Sequence, residues 1–356
     1  MGRVTLQTIA DHVGVSRMTV SNAFSRPDQL SATLRERILA VAEQLGYVGP
    51  DPTARALASG TAGTVGLLMS DTYAYSLTDE VAMTFIAAIS DELAPAGLAL
   101  TLLSAAPREG IIPARDVAVD AALVYSCDMT SPAVGWLMRR RLPVVFVDQP
   151  PASGIASINV DDRGGARAAA QHVLDLGHRR VGIVTSGFGG DYGMVDDPRA
   201  ATLAYGESER MLGWLEGLDA AGVTPCVIRL PHQDPHEIGY SAGQALLAQP
   251  QRPTAILCFS DAMAGGVIRA AQDAGLIVPD DVSVVGFDDN PIARRTQPTL
   301  TTVRQDVDAK GRAAISALKA AIERAKNGGV RRQAKHLMLN TELIVRDSTA
   351  PAKAAR

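Results

Sequence analysis

The first 47 residues contain three short stretches in which apolar positions recur with the period of an α-helix. A hydroxyl residue that can cap a helix precedes each stretch, at Thr5, Ser16 and Ser31. Gly14 and Gly46 follow the first and third stretches, where glycine readily adopts the left-handed angles of a helix C-terminus. The pattern predicts three helices around one small apolar core.

Residues 49–63 have a different composition. Four turn-forming residues at 49–52 precede an alanine-rich piece at 53–59 that favours a short helix, and two glycines follow. Few of these side chains are large enough to form a core, so we interpret the segment as a linker with a hinge helix.

From Thr64 onward, apolar strands alternate with amphipathic helices. Uniformly apolar strands separated by helices are typical of parallel sheets covered on both faces, and the length of the pattern favours two α/β lobes. We therefore predict a helical head over residues 1–48, a linker and hinge helix over 49–63, a two-lobed α/β core over 64–346 and a tail over 347–356. The candidate strands are Val65–Met69, Leu98–Leu103, Ala121–Tyr125, Val144–Val147, Val181–Val184, Cys226–Leu230, Ala255–Phe259 and Val282–Phe287.

Charge and cysteine content narrow the possible functions. The formal net charge is -4, so any contact with nucleic acid must be local to one part of the chain. The three cysteines are dispersed in mostly apolar contexts, which favours reduced, buried thiols over a disulfide framework or a metal cluster. We find neither a signal peptide nor an apolar stretch long enough to cross a membrane, and we expect a cytoplasmic protein.

The first two predicted helices have the spacing of a helix-turn-helix, in which the second helix enters the DNA major groove. Arginine can pair with guanine and asparagine with adenine, while hydroxyl groups suit phosphate oxygens. The alternative is a solvated helical face in a small bundle. The outward-facing positions of the second helix are Arg17, Met18, Ser21 and Asn22, and Thr19 is a further phosphate-contact candidate.

Acidic residues follow three of the predicted strands, and ligands of open α/β sheets lie beyond the carboxyl ends of strands. Asp148, Asp261 and Asp288 occupy such positions, and Arg210 precedes Trp214 on a predicted helix and can donate to the same ligand. The alternative is that the carboxylates cap the helices that follow, and for Asp261 the two interpretations stay equally open. Phe287 and two tyrosines, Tyr73 and Tyr75, can stack on a ligand or pack in the core.

Taken in order, these segments closely resemble the lac repressor family, from residue 4 to about residue 346. The motifs occur at the spacing of that family. They are Val4–Ala10, Gly14–Ser16, Thr19–Asn22, Ser31, Arg35, Gly46–Tyr47, Ala54–Gly60, Gly177–Arg180, Val284–Asp289 and Pro298–Val303.

The resemblance implies that Arg17, Met18 and Asn22 read bases. It also implies that residues 53–59 fold into a hinge helix on DNA, with Ala54 and Arg55 at DNA-binding positions and Leu57 wedged into the minor groove. Ser25 replaces a common asparagine, and the linker at Gly49–Pro50 is one residue longer than in the lac repressor. The implied backbone-positioning residues are Thr5, Ser16, Thr19, Ser21, Ser31 and Tyr47.

The resemblance further implies a core like that of periplasmic sugar-binding proteins, with a small effector between two lobes. Asp148, Arg210, Ser260 and Asp288 fall on effector positions of the family, and Ser260 replaces a common asparagine. One head reads only a half-site, so we expect a homodimer on a pseudo-palindromic operator. The tail after Asp347 has no leucine heptad, which argues against a C-terminal coiled coil.

Two other classes of protein fit less well. A transport protein would need a signal peptide and would have no use for the head. Gly239–Gly243 matches the nucleophile-elbow pattern of hydrolases, but a helical pattern surrounds its serine where that motif needs a strand. We therefore expect no catalytic residues, no cofactor and no metal site.

Overall fold

The computed structural model describes residues 4–49, 51–69, 77–105, 110–187, 192–199, 204–231, 234–327 and 334–353, so Tyr73 and Tyr75 lie outside the described residues. The chain forms two compact units, Met1–Gly63 and Thr64–Arg356.

The first unit consists of short helices around an apolar centre. Ile9, Val20 and Ile38 are fully buried and join the first three helices. Thr5, Ser16 and Ser31 cap these helices, as predicted, because each side chain accepts a backbone N–H three residues later. The helices are α1 (Leu6–Val13), α2 (Arg17–Ser25), α3 (Ala32–Gln44) and α4 (Pro52–Ser59).

The second unit contains two sheets flanked by helices. The helices are α5 (Glu80–Leu93), α6 (Pro113–Asp116), α7 (Pro132–Arg139), α8 (Asp162–Asp175), α9 (Tyr205–Asp219), α10 (Pro235–Leu247), α11 (Asp261–Asp273), α12 (Ile292–Arg295) and α13 (Val307–Lys326). The strands are β1 (Thr64–Met69), β2 (Ala99–Ser104), β3 (Ala121–Tyr125), β4 (Val144–Val147), β5 (Ala156–Val160), β6 (Val181–Gly187), β7 (Gly193–Val195), β8 (Cys226–Pro231), β9 (Ala255–Cys258), β10 (Ser283–Asp288), β11 (Thr301–Gln305), β12 (His336–Leu339) and β13 (Thr341–Ile344).

Each sheet is the centre of one lobe. The first lobe has the strand order β12-β5-β4-β3-β1-β2, and all of its neighbouring strands are parallel. The second has the order β13-β11-β10-β9-β6-β8-β7, with parallel strands between two antiparallel edges. Helices pack on both sheets, which explains why most side chains of the central strands are buried. The predicted fold of a helical head and a two-lobed α/β core is confirmed.

The chain passes between the two lobes at several points, and these crossings bring distant segments together. It leaves the first lobe after β5, where Asp161 precedes α8, and returns after β11, where Asp306 precedes α13. Helix α13 packs against α5 and against β3, β4 and β5 of the first lobe. Side chains near Asp161 and Asp306 therefore lie at the carboxyl ends of both sheets.

The C-terminal segment differs from the predicted tail. Ser348 is fully buried; its hydroxyl donates to the carbonyl of Val284 at 2.6 Å and accepts the N–H of Thr301 at 2.8 Å. His178 contacts the carbonyl of Ala350 at 3.0 Å. The second lobe therefore continues at least to residue 350, since these contacts need partners from several strands and loops.

None of the helices within the described residues is long and apolar enough to cross a membrane.

Candidate DNA-binding and ligand-binding sites

Helix α2 presents polar and flexible side chains outward from the buried core of the first unit. Val20 and Ala23 face the core, whereas Arg17 is exposed and the side chain of Met18 is 68% exposed. The structure thus places Arg17 and Met18 together at the start of the helix, where a recognition helix reads bases.

Asn22 lies on α2 one turn beyond Met18 and is partly exposed. Its side-chain amide donates to Gln29 at 3.2 Å. The amide has two N–H donors and an oxygen acceptor, so the bond to Gln29 is compatible with the N–H and oxygen contacts that an asparagine makes with adenine. Ser25, which replaces a common asparagine, turns back to donate to the carbonyl of Ser21 at 2.9 Å.

Other polar residues of the first unit hold its helices together. Arg35 donates to the carbonyl of Ala23 at 3.3 Å, and Arg37 donates to that of Val13 at 3.1 Å. The ring of Tyr47 packs edge-to-face on Phe24 with centroids 5.6 Å apart. These contacts fix the orientation of α2 relative to α1 and α3, on which the aim of Arg17 depends.

Helix α4 is fully formed and capped at both ends. The Asp51 carboxylate accepts the N–H groups of Thr53 and Ala54, and Gly60 ends the helix in the left-handed conformation. Arg55 is exposed, and the Leu57 side chain is 87% exposed. The chain thus leaves a leucine uncovered on a short helix, as a minor-groove wedge requires.

The second unit buries a chain of ion pairs and hydrogen bonds between its two sheets. Lys310 donates to Asp148 at 2.6 Å and to Gln305 at 2.9 Å, and Gln305 donates to Asp288 at 2.7 Å. Asp148 follows β4 of the first lobe, while Asp288 ends β10 of the second. The chain of contacts therefore bridges the two lobes.

Arg210 occupies the second-lobe end of this network. Its guanidinium donates to Asp162 at 2.8 Å and to the carbonyl of Phe259 at 2.5 Å, and it lies 3.3 Å from Asp288. The ring of Phe287 lies 3.6 Å from the guanidinium carbon, so this aromatic side chain packs on Arg210. Arg210 is therefore a buried cation that holds the carboxylates of Asp162 and Asp288 close to each other.

Burial shapes the charge of these carboxylates. It raises the pKa of Asp162 to about 6 and that of Asp288 to about 7, although the charge of Arg210 opposes both shifts. Asp79, the N-cap of α5, also has a raised pKa because it is buried, and the charges of Arg210 and Lys310 again oppose the shift. Such shifts are common where a protein gathers charges for a function.

The backbone at two strand ends is unusual. Asp148 has a φ of 50° and Asp288 a φ of 115°, in a region that residues with side chains seldom occupy. Such conformations persist when surrounding contacts impose them, and they are frequent in ligand sites. One oxygen of Asp148, Oδ1, is buried and has no hydrogen-bond partner among the described residues.

The remaining strand-end residues have different surroundings. Ser260 caps α11 by accepting the N–H of Met263 at 3.2 Å, and it is 8% exposed. Asp261 accepts the Thr302 hydroxyl at 2.5 Å and the Asn290 N–H at 2.9 Å. Of the two interpretations of Asp261, the structure thus favours a structural one, as a tie between β11 and the loop after β10.

Asp289 is also a structural tie. Its carboxylate accepts hydrogen bonds from Arg346 at 2.5 Å and from Arg304 at 2.7 Å. The adjacent Asp288 and Asp289 therefore have opposite surroundings, since only Asp288 faces the network.

Sequence reasoning missed Asp162, Gln305 and Lys310. A signal for Lys310 was present: it occupies an apolar stripe of α13 that includes Val307, Gly311 and Ala314. A lysine at such a position needs a buried partner. The Gly239–Gly243 segment lies on α10, so the elbow interpretation is correctly rejected.

Comparison with known proteins agrees with both parts of the molecule. Residues 5–49 match the family model of bacterial regulatory proteins of the lacI family, and residues 170–349 match that of a periplasmic binding protein-like domain. The HTH-type transcriptional regulator Rv3575c of Mycobacterium tuberculosis is 40% identical over 320 residues, which cover 87% of this chain and 88% of that protein.

Solved structures of two regulators are similar over nearly the whole chain. The transcriptional regulator CelR in complex with cellobiose is 26% identical, with a TM-score of 0.68, and the match covers 97% of this chain and 100% of that one. The lac repressor dimer bound to operator and the anti-inducer ONPF is 25% identical, with a TM-score of 0.75 and coverage of 98% and 100%. The matches in the head and in the core, together with the identity across most of both chains, show that this protein is a DNA-binding transcriptional regulator of the LacI family.

Proposed function

We propose that this regulator is a cytoplasmic repressor that binds a pseudo-palindromic operator as a homodimer, and that a small polyhydroxy effector in the cleft sets its affinity for DNA. In this proposal Asp148 and Asp288 accept hydrogen bonds from hydroxyl groups of the effector. The hydroxyl of Ser260 contacts the effector as well, and Arg210 holds the carboxylates in place. The protein acts by binding alone and catalyses no reaction.

One observation carries the proposal. The network from Asp148 through Lys310, Gln305 and Asp288 to Arg210 bridges the carboxyl ends of both sheets, and within the described part of the chain it leaves the buried Asp148 Oδ1 without a hydrogen-bond partner. A buried acceptor without a donor is costly, and a hydroxyl group would satisfy it. In open α/β sheets, ligands usually bind outside the carboxyl ends of the strands.

The relatives support the same assignment. CelR was solved with cellobiose, a polyhydroxy ligand, and the lac repressor was solved as a dimer on its operator. In this chain the exposed Arg17, Met18 and Leu57 supply base-reading and wedging side chains for the DNA partner.

The effector acts through the equilibrium between open and closed lobes. Because Asp148 and Asp288 belong to different lobes, a ligand that bonds to both favours the closed arrangement. It changes DNA affinity only by its differential affinity for the two states, and DNA must change ligand affinity by the same factor.

The test combines a ligand screen with DNA titration. Sugars and polyols are screened by thermal shift, where a ligand at 100 times its dissociation constant adds about 2.7 kcal/mol to the free energy of unfolding. An operator selected from random duplexes is then titrated by fluorescence anisotropy with and without the stabilising compound. Transcription of a reporter behind that operator should fall when the protein is present.

Asp288→Asn is expected to bind operator normally and to lose the ligand-dependent change in affinity. Asp273→Asn is the matched control, because Asp273 is a partly exposed carboxylate paired with Arg269 on the surface. A normal ligand response in Asp288→Asn would show that the effector binds elsewhere. Equal affinity for operator and random DNA would instead contradict the DNA-reading role and favour a plain ligand-binding protein.

A further inference from the structure

Lys310 is an unusual residue for its position. It is 1% exposed and lies in the buried stripe of α13, which otherwise consists of small and apolar side chains. An ammonium group in such a place is tolerated only with close partners, because burial removes its hydration. Replacement of a whole buried ion pair by well-packed hydrophobic residues is often neutral or stabilising, whereas removal of one partner alone is destabilising. Packing of α13 therefore does not by itself account for a lysine.

The contacts of Lys310 leave part of its capacity unused. An ammonium has three N–H donors, and within the described part of the chain two acceptors lie in reach, Asp148 Oδ2 at 2.6 Å and Gln305 Oε1 at 2.9 Å. The ring of Tyr125 lies 5.8 Å from Nζ and provides a weaker electrostatic contact. One donor of Lys310 thus remains for a ligand.

The unused donor adjoins an unused acceptor. Lys310 bonds to Oδ2 of Asp148, and the other oxygen of the same carboxylate, Oδ1, is the buried atom without a partner among the described residues. A donor and an acceptor side by side match two adjacent hydroxyl groups, one of which donates to Asp148 while its neighbour accepts from Lys310.

The surrounding charges determine what else such a ligand can carry. Arg210 is already paired with Asp162 and Asp288, and Lys310 is paired with Asp148. Asp79 adds a further carboxyl group, whose pKa is lowered by the charges of both Arg210 and Lys310 although burial raises it overall. An anionic group such as a phosphate would therefore meet buried carboxylates without an uncommitted cation among these residues.

We propose that Lys310 and Asp148 form a subsite that selects a neutral ligand with two vicinal hydroxyl groups. This inference rests on the proposed effector function and specifies the chemical class of the effector. Lys310 is the residue that determines specificity, because it adds a charged donor beside the carboxylate acceptor.

The test measures affinity by calorimetry for neutral polyols, their deoxy analogues and their phosphate esters. The probes are ribose, glucose and cellobiose, with 2-deoxyribose and 2-deoxyglucose, and with ribose 5-phosphate and glucose 6-phosphate. We expect at least one neutral polyol to bind, and its phosphate ester to bind more weakly. Loss of a hydroxyl that contacts a charged group should weaken binding about 10- to 100-fold. The neutral-diol assignment would be overturned if only the phosphate esters bind, or if none of the neutral polyols binds.

Lys310→Met is the decisive variant, and Lys319→Met is its control on the same helix, since Lys319 is partly exposed and bonds to the carbonyl of Glu92. Lys310→Met should bind the polyol about 10- to 100-fold more weakly. The variant should then bind the deoxy analogue as tightly as it binds the polyol, because it has already lost the partner of that hydroxyl. A purely structural lysine would instead give additive losses.

Operator binding serves as the folding check, and Lys310→Gln, whose amide can still donate to Asp148, replaces the methionine variant if that variant precipitates. If the polyol binds Lys310→Met normally while Asp288→Asn abolishes binding, the effector function stands and the assignment of Lys310 is wrong. If neither substitution affects binding, the proposed effector site itself is wrong.

Discussion

Replacement of Arg210 by methionine tests the centre of the buried network. The Arg210 side chain is 7% exposed, and it is the cationic partner of Asp162 at 2.8 Å and of Asp288 at 3.3 Å. Methionine keeps much of the aliphatic volume and leaves both carboxylates without this cation. Removing one partner of a buried ion pair costs about 3–5 kcal/mol, since the remaining charge is left uncompensated.

The expected change in melting temperature follows from the size of the second unit. An unfolding entropy of about 2.1 cal/mol/K per residue gives about 0.6 kcal/mol/K for a unit of roughly 290 residues. A loss of about 3–5 kcal/mol should therefore lower the midpoint of the second unit by about 5–8 °C. Differential scanning calorimetry of the full chain at two pH values measures this change.

The loss of stability in Arg210→Met should be larger at pH 7.5 than at pH 5. The pKa is raised to about 6 at Asp162 and to about 7 at Asp288, and removal of Arg210 takes away a charge that lowers both values. A carboxyl with a raised folded-state pKa stabilises the protein fully below its unfolded value, and this contribution is lost as the pH rises through the folded value. At pH 5 both carboxyls of the variant hold protons, so the uncompensated charge is largely absent.

Arg163→Met provides the control, because Arg163 is 43% exposed and forms a surface pair with Glu216. Such a pair contributes at most about 1 kcal/mol to the free energy of unfolding, which corresponds to about 2 °C in the melting midpoint of the second unit. Adding Asp162→Asn and Asp288→Asn to Arg210→Met should recover much of the lost stability. The reasoning is refuted if Arg210→Met melts no lower than the control, or if its loss is the same at both pH values.

Three further substitutions test other parts of the molecule. Arg17→Ala should weaken operator binding by about 1–3 kcal/mol and relax specificity at one base pair per half-site; equal losses on operator and random DNA would make Arg17 a phosphate contact. Leu57→Ala should reduce the operator bend angle without lowering the melting temperature, because the side chain is 87% exposed; an unchanged bend would contradict the wedge. Ser348→Ala leaves a buried carbonyl and N–H unpaired, and should lower the melting midpoint of the second unit by about 2–5 °C; a calorimetric midpoint equal to that of the wild type would show that residues after 347 behave as a free tail.

Local patterns were sufficient for much of the architecture. The hydroxyl caps Thr5, Ser16 and Ser31 fixed where the head helices begin, because capping depends on residues three positions apart. The eight candidate strands of the core were likewise located to within a few residues, since apolar periodicity reports which face of each element is buried. The same patterns missed β5 and β11, which are largely buried strands with several polar residues, and also β7, β12 and β13, which are short edge strands with partly exposed side chains.

The candidate site depended on the tertiary structure to a much greater extent. The sequence by itself determined that Asp148 and Asp288 follow apolar strands and that Arg210 lies on a helix. Only the fold decided that Asp288 faces the network while its neighbour Asp289 is held by Arg304 and Arg346. It alone brought Lys310 to Asp148, a partner 162 positions away in the chain. Periodicity describes how one element meets the core, whereas the pairing of buried charges depends on which elements the lobe crossings bring together.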